Sequence, residues 1–427
     1  MIYPSHVVGA TPPVHCDVLV QQPATQIPTA GELARRHEEN RNSPLVKLLA
    51  QSDSIVPRVL EADGVGLVAL CRLRRVCKSC FESVETVLRR QPPVVLLGGE
   101  ETRLSGRNVR TVKSLDLISM GFSSCTDMPK ARCFMATCAF PDGRVLMAGG
   151  SEGRWASKRG MPESDNKENA NATVQADAGT RTATGCTLAQ ETASVQICQN
   201  DSWTSLPPMA EARAGARAVV LDDGRVLVAG GSRGELYLRS AEVLDLSTGT
   251  WTALPDMHFC YCHHAIGKLP DGRVIVAGGL TAGQPGTQWQ LAEIYDPTKN
   301  CWSILPALSA RRQFCAGCVD TQGRFFVSGG EDERGVHDTC EAFNPARNCW
   351  EAAPDLIHGR SGHTMCRIGG ALFIAGGRGN GKTKLLSELE VLDVTQDRWR
   401  LRGTDSKCEL VRSGVAAVAP APAPQLR

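Results

Sequence analysis

Little in this chain of 427 residues is aromatic: phenylalanine, tryptophan and tyrosine together make up 5%, with only four tyrosines. Neither sign of charge prevails. Lysine and arginine number 47 against 45 acidic residues, a net charge of +2 that gives no global pull toward nucleic acid or an anionic membrane. No apolar run approaches the roughly 20 residues needed to span a bilayer. The opening stretch, MIYPSHVVGATPPVHCDVLVQQP, has no basic n-region and no apolar h-region, so it is not expected to act as a signal peptide. A reducing compartment, cytoplasmic or nuclear, is therefore expected, with the 18 cysteines as free thiols. Many of them, such as Cys133, Cys138, Cys198 and Cys366, fall at strand positions, where cysteine behaves as a small hydrophobe.

What the chain has in quantity is glycine (42) and proline (24), a composition suited to short strands and many tight turns. The glycines recur in pairs. Six segments end in an apolar strand followed by two glycines: VVLLGG at 94–99, GRVLMAGG at 143–150, GRVLVAGG at 224–231, GRVIVAGG at 272–279, GRFFVSGG at 323–330 and ALFIAGG at 371–377. Asp142-Gly143, Asp223-Gly224, Asp271-Gly272 and Gln322-Gly323 precede four of them. Asp-Gly between apolar runs predicts a hairpin closed by a type I′ turn, with positive φ at both central residues. A second alternating strand follows each pair, as in SAEVLDL at 240–246, and then one aromatic: Phe122, Trp203, Trp251, Trp302, Trp350 and Trp399. The steps between neighbouring tryptophans are 48, 51, 48 and 49 residues.

A period of about 50 residues with four short strands per unit resembles the Kelch repeat. The resemblance covers residues 92–420 and implies an all-β, six-bladed Kelch β-propeller, in which radial stacking buries both faces of every blade. The first unit lacks a first strand, and the end of the chain, ELVRSGVAAVA at 409–419, looks like the start of a unit. Residues 411–418 are therefore expected to complete the first blade as a closing C-terminal strand. The second unit carries a polar stretch, 151–190, expected to be a disordered insertion. It contains Lys167-Glu168-Asn169, similar to a destruction signal, and Asn171-Ala172-Thr173, a glycosylation pattern discounted without a secretory route. Residues 1–41 and 421–427 are expected to be flexible ends.

Residues 42–91 lack the repeat. Leu67, Leu70, Leu73, Val76, Cys80, Val84 and Val87 step by three or four, the pattern of an amphipathic helix. LVALCRLRRVCKSCFESV at 67–84 resembles the second half of an F-box, and IVPRVLEADGVG a worn first half. The sequence departs from that pattern at Val56-Pro57, where Leu-Pro is usual, and in lacking a Trp after Val76-Cys77-Lys78. The resemblance implies docking to the Skp-type adaptor of a cullin ubiquitin ligase through Leu67, Leu70, Leu73, Val76, Cys77 and Phe81. The other reading is a helical hairpin that packs on the propeller.

Aligning the units exposes an arginine four residues after an apolar anchor: Arg132, Arg213, Arg312 and Arg360, with Tyr261 in the fourth unit and Arg412 in the closing strand. Equivalent positions in a propeller come to one face around the axis. Five arginines and a tyrosine would then form a ring that binds a protein target, with guanidinium forks suited to an acidic motif. The competing expectation is that these arginines pair with nearby acidic residues. Cys260, Cys262 and His264 alternate along a strand, yet no second cluster at zinc spacing accompanies them, so no metal or other cofactor is expected. The Kelch resemblance also covers enzymes. A copper oxidase of that architecture needs tyrosine ligands not set in pattern here, and a bacterial sialic-acid mutarotase remains the enzyme alternative. The chain is expected not to be an enzyme but a protein-binding adaptor, either a ligase substrate receptor or a scaffold without a ligase link. Neither nucleic acid nor membrane is expected as a partner.

Overall fold

The computed structural model describes residues 94–100, 108–115, 122–152, 190–281, 289–368, 371–380, 386, 388–393, 398–402 and 414–417. The chain divides into Met1–Gln51, which lies wholly outside the described residues, and Ser52–Arg427. The expected flexible ends and the helical segment 42–91, with its F-box-like residues, also lie outside them.

The described part is all-β, without a helix. Its glycine-pair units fold into four-stranded antiparallel sheets, six among the described residues. In the third, Arg217–Val220, Val226–Ala229, Ala241–Asp245 and Thr250–Ala253 lie side by side in chain order. The fourth, fifth and sixth repeat that order, and the second follows it around its insertion. In the first, Val94–Glu100 pairs with Gly414–Ala417, a strand from the far end of the sequence.

Alternation along each strand explains why the sheets stack. The second strands carry unbroken apolar runs, and successive side chains point to opposite faces. Val226 and Val228 pack against the second sheet, whereas Leu227 and Ala229 pack toward the fourth. The repeat tryptophans of the third to sixth sheets bridge to the sheet before them. The indole of Trp251 donates to Pro207 O at 2.9 Å, Trp302 to Pro255 O at 3.0 Å, Trp350 to Pro306 O at 2.8 Å and Trp399 to Pro354 O at 2.9 Å. The first strands of neighbouring sheets touch in cyclic order, so that Ala136–Ala139 meets both Arg217–Val220 and Gly414–Ala417.

The Asp-Gly turns differ from expectation. Gly143, Gly224, Gly272 and Gly323 have positive φ, but Asp142, Asp223, Asp271 and Gln322 before them do not. In the third sheet Leu221 N donates to Arg225 O and Gly224 N to Leu221 O, at 2.8 and 3.1 Å, which closes a three-residue loop with the glycine at its left-handed position. The carboxylate of Asp223 holds the turn by accepting from Arg225 N at 3.0 Å and Arg225 Nε at 2.8 Å. This second use of the aspartate favours the longer loop over a two-residue type I′ turn.

Both ends of the stretch 151–190, expected to be a disordered insertion, are strands. Ser151–Glu152 and Gln190–Glu191 are strands paired with each other, and Arg132–Cys133 joins them as a third. Residues 153–189, with the two short motifs, lie outside the described residues.

Candidate functional site

Four antiparallel strands place the loop entering each unit and the loop after its glycine pair at the same end of the sheets. The arginines of the expected ring lie on the entering loops, but they do not face outward. Arg132 is 1% exposed, and Arg213, Arg312, Arg360 and Tyr261 are 0% exposed. Arg213 Nη1 donates to Gly230 O at 2.8 Å and Ser240 O at 3.1 Å, and Nη2 reaches Glu242 Oε1 at 2.6 Å. Arg312 repeats this with Gly329 O at 2.8 Å, Thr339 O at 2.9 Å and Glu341 at 2.9 Å. Arg360 binds Gly376 O at 3.0 Å and Glu390 at 2.9 Å. Arg132 lies 3.1 Å from Glu152 and donates to Gly149 O at 3.3 Å.

The backbone of the same residues ties neighbouring units together. Gly150 N donates to Arg213 O, Gly231 N to Tyr261 O, Gly279 N to Arg312 O and Gly330 N to Arg360 O, at 2.8, 2.7, 2.8 and 2.7 Å. The first glycine of a pair must be bare. A Cβ on Gly149 would stand 2.3 Å from Arg213 O, and one on Gly230 would stand 2.3 Å from Tyr261 O. Each of Arg213, Arg312 and Arg360 thus holds its own unit's glycine loop with its guanidinium and the preceding unit's loop with its carbonyl. Its buried charge is met by a glutamate that also accepts from the loop backbone, as Glu242 does from Ala210 N at 2.8 Å. This corrects the expected role of Arg132, Arg213, Tyr261, Arg312 and Arg360. They are inter-sheet latches, and an acidic ligand cannot reach them. Arg412 lies outside the described residues, as do Leu67, Leu70, Leu73, Val76, Cys77 and Phe81.

The fourth unit departs from the others. Tyr261 takes the arginine's place, and the buried Glu293 instead accepts from His258 N at 3.0 Å, Phe259 N at 3.0 Å and His258 Nδ1 at 2.7 Å. Burial, followed by the charge of Glu293, raises the Tyr261 hydroxyl well above its ordinary pKa. Cys260, Cys262 and His264 form no metal site. Among the described residues no group of three or more His, Cys, Asp or Glu side chains could hold an ion. Burial pushes the Cys262 thiol up to about 12, so it is protonated at neutral pH.

The same end of the sheets is otherwise lined by charges that neutralise one another: Lys130 with Glu152 at 3.1 Å, Arg233 with Glu211 at 3.8 Å, Arg311 with Glu333 at 3.6 Å, and Arg378 with Glu331. Two apolar side chains project among them. Leu236 is 69% exposed on the hairpin of Ser232–Arg233 and Leu236–Tyr237, and Ile357 is 43% exposed on the loop entering the sixth unit.

Two features were missed in the sequence. Phe134, His263 and Phe314 follow the latch position by two residues and adopt positive φ of 57°, 57° and 53°. Gly215 and Gly362 hold the equivalent places with φ of 68° and 65°. Their backbones join in a chain around the axis: Gly215 N donates to Phe134 O, His263 N to Gly215 O, Phe314 N to His263 O and Gly362 N to Phe314 O, at 2.8 to 3.1 Å. The three rings converge from different sheets. His263 stacks on Phe314 at 4.2 Å between centroids and lies 4.7 Å from Phe134. A side chain on Gly215 would collide with the His263 ring at 2.7 Å. Left-handed backbone at three bulky residues costs on the order of 1 kcal/mol each. The signal available in the sequence was the glycine at equivalent positions in other units.

Beneath this cluster the first strands enclose a channel of about 320 Å³. Its walls are small residues such as Thr137, Ala218, Ala265, Gly317 and Cys318, interrupted by Arg217.

Comparison with known proteins agrees with this architecture. The Kelch motif family model matches residues 213–258 and 359–404, so the chain carries Kelch motifs. An F-box/kelch-repeat protein of Arabidopsis thaliana is 44% identical over 48 residues, a match spanning 11% of this chain and 11% of that protein. The solved structure of YjhT superposes with a TM-score of 0.54 at 14% identity, over 73% of this chain and 98% of YjhT. The fold is therefore that of a Kelch-type propeller. This neighbour overturns the expectation that the chain is not an enzyme. Kelch-type propellers serve catalysis as well as binding, so a firm exclusion of activity does not stand.

Proposed function

We propose that the chain is a closed six-bladed Kelch propeller that captures a protein target on the end carrying Leu236 and Ile357. In this reading its N-terminal segment, 42–91, docks on the Skp-type adaptor of a cullin ubiquitin ligase, in the cytoplasm or nucleus. The pairing of Gly414–Ala417 with Val94–Glu100 supports ring closure. The Kelch motifs support protein interaction, and the short likeness to an F-box/kelch-repeat protein, together with Leu67, Leu70, Leu73 and Val76-Cys77-Lys78, supports the ligase link.

The observation that carries target capture is the exposure of Leu236. It sits at the tip of a two-stranded hairpin, rimmed by ion pairs, which is the arrangement of an apolar anchor in a polar rim. With the latch arginines buried, the target need not be acidic.

Affinity capture with the full chain, followed by quantitative mass spectrometry, tests both halves. The Leu67→Asp/Leu70→Asp/Leu73→Asp variant is expected to lose the Skp-type adaptor while keeping targets. Leu236→Asp/Ile357→Asp is expected to keep the adaptor and weaken target recovery about tenfold. Targets without any adaptor would leave a scaffold and end the ligase reading. Unchanged target recovery by the second variant would end the assignment of the surface.

A further inference from the structure

The latch arginines show what a structural arginine looks like in this protein: each is buried against a carboxylate. Arg217 breaks that rule. Its Nε donates to His264 O at 2.8 Å, and among the described residues no carboxylate pairs with it. Arg217 is half-buried on the channel wall, and the partial loss of solvent lowers its pKa. Among the described residues the groups that could offset its charge are the Cys315 and Cys262 thiols, and burial raises the pKa of both. The nearby Cys262 thiol is held protonated by burial, and the His264 and His363 imidazoles are pushed down to about 3 and so are neutral.

The position is also unusual within the repeat. The equivalent residues of the second, fourth, fifth and sixth units are Ala136, Ala265, Ala316 and Thr364, all small, and the last three line the same channel. Lys268 and Arg367 line that channel too, and among the described residues no aspartate or glutamate does. Lys268 is held by Asp222 outside the lining, which leaves Arg217 and Arg367 as the channel's cations without a carboxylate among the described residues. The cluster of Phe134, His263 and Phe314 stands where the first strands begin, with His263 N donating to Gly215 O two residues before Arg217. At about 320 Å³ the space suits a small molecule rather than a peptide segment.

We propose that the channel is a binding site for a small oxyanion, a carboxylate- or phosphate-bearing solute whose charged end is held by the free Nη groups of Arg217. The planar fork matches two oxygens of either group, and the surrounding low dielectric strengthens the pair. The ligand enters from the end of the sheets opposite the aromatic cluster, past Arg367. This site is independent of the target-binding surface proposed above, and failure of either leaves the other standing.

Isothermal titration of the full chain with inorganic phosphate and, separately, with gluconate tests the site, with chloride at matched ionic strength as the control. Saturable binding of one of them is expected, and the better arm identifies the headgroup. Arg217→Met is expected to weaken that binding by about tenfold or more, the scale of a lost charge-assisted contact. Arg217→Lys, which keeps the charge but loses the fork, should fall between, and Arg367→Gln should weaken binding by about twofold. Absence of saturable binding in both arms would overturn the proposal. Undiminished binding by both Arg217 variants would overturn it equally.

Discussion

Arg213 and Arg217 lie four residues apart in one unit, yet their surroundings are opposite. Arg213 is enclosed by Glu242, Gly230 O and Ser240 O. Arg217 has a single backbone acceptor and a channel in front of it. The first arrangement satisfies a charge internally and makes it part of the scaffold. The second places a guanidinium on a channel wall where, among the described residues, no carboxylate meets it. Partners and exposure together separate the two: Arg213 is fully buried against a carboxylate, and Arg217 is half-buried without one among the described residues.

The comparison breaks most sharply under substitution at the latch. Arg213→Met strands the Glu242 carboxylate in the interior and is expected to cost about 3–5 kcal/mol in urea unfolding. The double variant Arg213→Met/Glu242→Met should regain much of that loss, because no charge is then left unpaired. A double variant as unstable as the single one would show that the latch works through packing.

A smaller effect comes from acid. His264 and His363 stay neutral in the fold down to about 3, whereas in the unfolded chain they take up protons near their ordinary pKa of about 6.5. Below that value the unfolded state binds more protons, so stability is full above pH 6.5 and falls as the pH drops toward 3. The expected slope is about 1.4 kcal/mol per pH unit for each histidine. Arg217 contributes to holding both imidazoles down. In Arg217→Met their pKa values should rise and the acid loss should level off at higher pH. Unfolding midpoints measured between pH 4 and 8 in both proteins would reveal the difference.

The smallest effect has the opposite sign from the first. Arg217→Met removes a desolvated charge that no carboxylate offsets and should change stability by no more than about 1 kcal/mol, toward greater stability at neutral pH. A loss as large as that of Arg213→Met would place Arg217 among the latches and remove the reason to look for an anion.

Much of the fold was legible in advance because it is written in short-range pattern. Paired glycines, alternating strands and spaced tryptophans each report a local backbone or packing demand, repeated until it is unmistakable. The turn type was misread because Asp142, Asp223 and Asp271 hydrogen-bond their own loops, an alternative that Asp-Gly spacing does not exclude. The ring of arginines was found at the right positions and given the wrong task. Periodicity locates a side chain in each unit, but it does not tell which way the chain points. The partners, Glu242, Glu341 and Glu390, stand about 30 residues downstream on the third strand of each sheet.

The sequence by itself determined the repeat, the all-β class, the number of glycine-pair units and the identity of the residue at each unit boundary. These follow from local sterics: only glycine fits where a Cβ would meet a carbonyl, and only alternating apolar residues serve two neighbouring sheets. Tertiary structure alone decided which charges were satisfied. Arg213 and Arg217 became a latch and an open site because strand pairing brought a glutamate to one and left the other facing the axis. Long-range partners set the environment of a buried charge, and that environment does not appear in any window of sequence.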